Sequence, residues 1–110
     1  LEFRSNPGLV GQIPATFGGL KNLQSLVLIQ NGLSSKIPTD IGNLSNLKRL
    51  VLSQNQITGK IPDGLGSLSG LLILDLSRNL LHGPLPHTLG KLTSLLKLDL
   101  SSNQVAGSSQ

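Results

Sequence analysis

Leu44-Ser45-Asn46-Leu47-Lys48-Arg49-Leu50-Val51-Leu52-Ser53-Gln54-Asn55-Gln56-Ile57-Thr58-Gly59-Lys60-Ile61-Pro62 belongs to one period of a repeating text, LxxLxxLxLxxNxLxGxIPxxxGx. On either side of it, Leu20, Leu44, Leu68 and Leu92 stand in step at a spacing of 24 residues, as do Leu26, Leu50, Leu74 and Leu98. Asn31, Asn55, Asn79 and Asn103 keep the same beat, and so do Pro14, Pro38, Pro62 and Pro86. Self-similarity at a period of this size is the signature of stacked structural units.

Within each unit two leucines, such as Leu50 and Leu52, bracket a variable residue, the alternation of a strand with one face buried and the other wet. One short strand per repeat is therefore expected. Successive strands run in the same chain direction, so they pair in parallel, and the rest of each repeat is the right-handed return crossover. The result is an α/β repeat solenoid with a concave parallel sheet. Its leucines fill an interior that no single repeat could bury. Each of Asn6, Asn31, Asn55, Asn79 and Asn103 sits where a side-chain amide can bond the backbone of neighbouring turns, so these asparagines are expected to form a structural ladder. Pro38, Pro62 and Pro86 hold the preceding residue extended, and the short polar stretch after each fits a 3-10 turn on the convex side. Gly11, Gly59 and Gly83 suit a tight backbone position where one repeat has Ser35, and only local adjustment is expected there. Leu1, Phe3 and Asn6 match Leu26, Leu28 and Asn31, but Pro7-Gly8 inserts one residue and should bulge outward.

The unit resembles the plant-type extracellular leucine-rich repeat found in receptor kinase ectodomains, receptor-like proteins and polygalacturonase-inhibiting proteins, and the resemblance covers nearly the whole chain. The opening Leu1-Glu2-Phe3-Arg4-Ser5-Asn6-Pro7-Gly8-Leu9 is similar to receptor-like proteins of the Piriformospora-insensitive group. On this reading residues 1–110 form a single leucine-rich repeat domain. A partial repeat at 1–19 is followed by repeats at 20–43, 44–67 and 68–91 and an incomplete one at 92–110. The cysteine-flanked caps that the resemblance implies are absent, since the sequence has no Cys, so it reads as a segment of a longer protein. Bare ends with open strand edges favour end-to-end association.

Nine Lys and Arg against five carboxylates give a net charge of +4. Nucleic acid is excluded as a partner, because the two aromatic residues, Phe3 and Phe17, make no stacking platform and the positive charges are dispersed. An acidic polysaccharide is the fairer candidate for a basic surface. No apolar run is long enough to cross a bilayer, so no direct membrane insertion by this segment is expected. Asn43-Leu44-Ser45 fits the N-glycosylation acceptor pattern and falls on the convex side, which agrees with an extracellular or cell-surface location.

Catalysis needs a nucleophile, acid–base pair or metal set at defined separation, and none is spelled out here. His82 and His87 lie in one turn without the spacing of a zinc site, and read as solvent-facing. Asp75 and Asp99 hold equal positions on adjacent strands, about 5 Å apart. As the resemblance implies, Leu-Asp-Leu-Ser is common strand text, so the pair reads as structural, softened by Lys97 and Arg78. No enzyme activity, metal or cofactor is expected. The outward strand positions are the informative ones. Val27, Ile29, Val51 and Ile73 are expected to form an apolar patch pointing to solvent, edged by Arg49, Arg4 and Glu2 on one part and by Lys97, Asp75 and Asp99 on another. Exposed aliphatics beside charges are what a small binding site looks like.

The resemblance implies a non-enzymatic recognition segment of a plant cell-surface or secreted protein, binding a peptide or protein on its concave sheet in signalling or defence, with a co-receptor kinase as further partner. Two other readings fit it: inhibition of a cell-wall-degrading enzyme, in the manner of the polygalacturonase inhibitors, and a structural spacer within a larger ectodomain.

Overall fold

The structure is a computed structural model and describes residues 2–4 and 19–106, with only the backbone considered at 2–4 and 106. Nine short strands are present among them: β1 Glu2–Arg4, β2 Ser25–Ile29, β3 Ser34–Ser35, β4 Arg49–Val51, β5 Gln56–Ile57, β6 Ile73–Asp75, β7 His82–Pro84, β8 Lys97–Asp99 and β9 Gln104–Ala106. Asn6 and the Pro7-Gly8 insertion lie outside the described residues.

One strand from each repeat joins a parallel five-stranded sheet in the order β1-β2-β4-β6-β8. The register follows the repeat without slip: Phe3 pairs with Leu28, Leu26 with Leu50, Leu50 with Leu74, and Leu74 with Leu98. Leu26, Leu50 and Leu74 are completely buried, as are Leu52, Leu76, Leu44 and Leu68. Each such side chain contributes about 1.5–3 kcal/mol by leaving water. Leu98, in the outer strand β8, is 37% exposed because no neighbouring strand covers it on that side among the described residues.

The structure has two strands per repeat where the sequence predicts one. Beyond the asparagine, β3 pairs with β5 and β7 with β9, both in parallel. Hydrogen bonds from Leu80 N–H to Ile57 O (2.8 Å) and from His82 N–H to Gly59 O (3.0 Å) bridge these two pairs. The second row forms because Leu33, Ile57 and Leu81 stack in the core and bring the backbone beside them to pairing distance. Runs of two or three residues carry too little alternation to announce themselves in sequence.

Pro38, Pro62 and Pro86 are extended, with ψ of 142°, 146° and 134°, and each precedes a 3-10 turn: Thr39–Asn43, Asp63–Ser67 and His87–Lys91. The turns stack closely. A Cβ added at Gly42 would sit 2.5 Å from Gly64 O, and Thr88 Oγ1 donates to Asp63 O at 2.9 Å. The core lies between the long sheet and this layer, with Ile41, Leu65, Ile37 and Ile61 supplying its far wall.

Candidate functional site

The open face of the long sheet is held in place by buried amides beneath it. Asn55 Oδ1 accepts from the backbone N–H groups of Asn31 (2.9 Å) and Leu33 (3.1 Å), while its Nδ2 donates to Leu28 O, Leu52 O and Ser53 O. Asn79 repeats the pattern one unit on, accepting from Ile57 N–H and donating to Leu52 O, Leu76 O and Ser77 O. Asn103 accepts from Leu81 N–H and donates to Leu76 O. Each amide thus ties its own repeat to the one before, and at buried Asn55 and Asn79 strand spacing is fixed by groups that cannot relax into water. Asn31 is completely buried at the equivalent position.

Two rows of side chains cross the open face in register. The first runs Ser25, Arg49, Ile73, Lys97 and the second Val27, Val51, Asp75, Asp99. Arg49 and Lys97 are exposed, on either side of half-buried Ile73. Ile29 is half-buried and pairs with Arg4 in β1.

Val27 and Val51 do not point freely to solvent: Val27 is 0% exposed and Val51 7%. Both stand apart from the core cluster that holds Leu26, Leu28 and Leu50, so their burial arises elsewhere. Val27 is flanked in register by β1 at Glu2 and by Val51 in β4, with Ser25 and Ile29 along its own strand. The apolar contribution to the surface therefore comes from Ile29 and Ile73. The side chains of Glu2 and Arg4, expected at the edge of the patch, lie outside the described residues.

Asp75 and Asp99 are register partners on adjacent strands. Each is engaged locally: Asp75 Oδ1 accepts from Ser77 N–H (3.0 Å) and Ser77 Oγ (2.7 Å), and Asp99 Oδ1 from Ser101 N–H (3.0 Å) and Ser101 Oγ (2.6 Å). The Ser101 hydroxyl and then its backbone N–H lower the Asp99 carboxyl below the usual carboxylate range, with Lys97 and Arg78 adding smaller attractions. These serines, and not the cations alone, let two carboxylates share one sheet edge. Among the described residues no group of three His, Cys, Asp or Glu could hold a metal ion. His82 and His87 are exposed, and Asn43 is exposed in the turn Thr39–Asn43 while Leu44 beside it is buried.

Leu72 and Leu96 extend the apolar surface at the entrance to the strands, where the other repeats have Gln24 and Lys48. The backbone joins these four positions through Lys48 N–H to Gln24 O, Leu72 N–H to Lys48 O and Leu96 N–H to Leu72 O, all at 2.7 to 2.8 Å. Leu96 is 82% exposed. The signal was present in the sequence as a repeat position that changes from polar to leucine, outside the strand text.

The leucine rich repeat family profile matches residues 4–57 and 45–105. Piriformospora indica-insensitive protein 2 of Arabidopsis thaliana is 62% identical over 32 residues, which are 29% of this chain and 8% of that protein. The Arabidopsis receptor kinase HAESA, solved in complex with the peptide hormone IDA and the co-receptor SERK1, superposes with a TM-score of 0.91 at 43% identity, over 96% of this chain and 18% of that one. A plant ice-binding protein superposes with a TM-score of 0.88 at 40% identity, over 96% of this chain and 34% of that one. The chain thus spans less than a tenth of the curated relative and about a third or less of these structures.

Proposed function

The chain belongs to the leucine-rich repeat family, and we propose that it is a non-enzymatic recognition segment of a plant cell-surface or secreted protein, binding a peptide or protein on the open face of its long sheet. The observation that carries this reading is the row Ser25, Arg49, Ile73, Lys97, in which two exposed cations flank a half-buried aliphatic in strict register. Leu72 and Leu96 widen the apolar part at the strand entrance. A ligand laid across the strands meets one side chain per repeat on a platform already held by Asn55, Asn79 and Asn103, so little ordering accompanies binding. HAESA, whose fold is so similar, is seen in complex with the peptide hormone IDA and the co-receptor SERK1, and that mode of recognition is the one we carry to this chain. The setting is extracellular, with an N-glycan at Asn43 in the turn layer, across the core from the binding face. Among the described residues no helix is long and apolar enough to cross a membrane.

The test is a crosslinking pull-down from plant cell-wall extract with the protein, comparing wild type with Arg49→Glu/Ile73→Asp. Arg49 is exposed and Ile73 half-buried, and circular dichroism of the variant checks that it is folded. A partner recovered by wild type and lost in the variant supports recognition on this face; equal recovery assigns these repeats to scaffolding.

A further inference from the structure

A second surface, on the side of the solenoid formed by the short strands, has the chemistry of a separate site. Two shallow depressions of about 460 and 400 Å³ share Lys60 and Pro62, and together they run across successive repeats. Lys36 and His82 line the first, and His87 the second. All four of these basic side chains are exposed, and Asp63 is the one carboxylate lining either depression. Lys36 and Lys60 form no ion pair among the described residues.

The lysines are placed by the fold. A Cβ at Gly59 would stand 3.0 Å from Lys36 Cγ, and one at Gly83 3.0 Å from Lys60 Cγ. Each stem thus lies across the bare backbone of the next repeat's glycine, both glycines having φ near +80° (82° and 83°), and the two stems follow each other from one repeat to the next. Stems packed in this way have already lost much of their rotamer freedom, so the charges meet a ligand partly ordered.

We propose that this groove binds a linear carboxylated polysaccharide. Its charge calls for a polyanion, and the repeat spacing of its cations suits a polymer with one carboxylate on each of successive units. An acidic peptide fits less well. Thr58 N–H is spent on Ser35 O and His82 N–H on Gly59 O, so these two donors beside the groove are not open to a peptide backbone. A sugar chain needs no such edge: its ring C–H faces rest on Pro62 and the lysine methylenes, and its hydroxyls stay in water or reach Thr39. The site is independent of the open sheet face, and its failure would leave the proposed recognition function untouched.

The experiment measures binding of polygalacturonate oligomers to the protein by calorimetry at low and high salt, with fully methyl-esterified oligomers and a polyglutamate peptide as comparison probes. Lys36→Gln/Lys60→Gln and, as control, the exposed pair Lys21→Gln/Lys91→Gln are tested beside wild type, with circular dichroism to establish that each is folded. The expected result is salt-sensitive binding of the free acid, weakened at least tenfold in Lys36→Gln/Lys60→Gln and unchanged in the control. Equal binding of the esterified oligomer, tighter binding of polyglutamate, or full affinity in Lys36→Gln/Lys60→Gln would each overturn the proposal, as would no binding at all.

Discussion

The side-chain carbonyl of Asn55 accepts a hydrogen bond from the backbone N–H of Asn31, 2.9 Å away and 24 residues earlier in the chain. With its four other partners, this makes Asn55 a joint between repeats. Asn55→Ala strands buried N–H and C=O groups from both units, and the cost is roughly 2–4 kcal/mol. Asn103→Ala, at a half-buried position, costs less. Urea denaturation of the two variants checks the order; equal losses would mean that water replaces the amide in both.

The turn layer tolerates methyl groups unequally. At Gly42 an added Cβ would meet Gly64 O at 2.5 Å, at Gly66 it would meet Thr88 O at 2.6 Å, and at Gly90 nothing lies within 4 Å. Gly42→Ala and Gly66→Ala should each lose about 1–3 kcal/mol through overpacking against backbone that cannot move aside. Gly90→Ala should be neutral or slightly stabilising, because it restricts the unfolded chain. Thermal melts of the three variants decide the matter.

Ser35 occupies the left-handed region at φ 65°, where Gly59 and Gly83 stand at 82° and 83°. The serine has kept the glycine conformation and carries its steric cost. Ser35→Gly should therefore stabilise the fold by about 0.5–1 kcal/mol, the relief of a left-handed residue exceeding the entropy that glycine loses on folding. A lower melting temperature would contradict this.

Asp99 owes its lowered pKa first to the Ser101 hydroxyl. A carboxyl whose pKa is depressed on folding contributes stability that is present above its unfolded pKa and lost as pH falls through the folded value. Ser101→Ala should raise the Asp99 pKa and move that acid loss to higher pH. Carbon-detected NMR titration of the Asp99 carboxyl in both proteins reads the shift directly; an unmoved pKa would assign the effect to Lys97 and Arg78.

The 24-residue period made the long sheet legible, because register in a repeat is spelled by leucines at fixed phase: Leu26, Leu50, Leu74 and Leu98 pair as the text implies. The 3-10 turns were legible from Pro38, Pro62 and Pro86. Strands β3, β5, β7 and β9 were not, since two or three residues held by neighbours leave no pattern of their own. Burial on the open face was also misread. Alternation within β2 assigns Val27 to the wet side, but it is completely buried while standing outside the core cluster. Val27→Asp therefore buries a carboxylate and unfolds the segment instead of probing binding. Ser77 and Ser101, read as common strand text, are the groups that hold Asp75 and Asp99 in place.

The proposed recognition rests on the row that carries Arg49, Ile73 and Lys97. It is tested by the affinity of linear peptides, selected on the wild-type protein from a random displayed library, for wild type and for folded Arg49→Glu/Ile73→Asp. Selected peptides should bind the variant at least tenfold more weakly and be unaffected by substitution of exposed Lys91 in the turn layer. Peptides that bind both proteins equally, or that lose affinity only with Lys91, would contradict it.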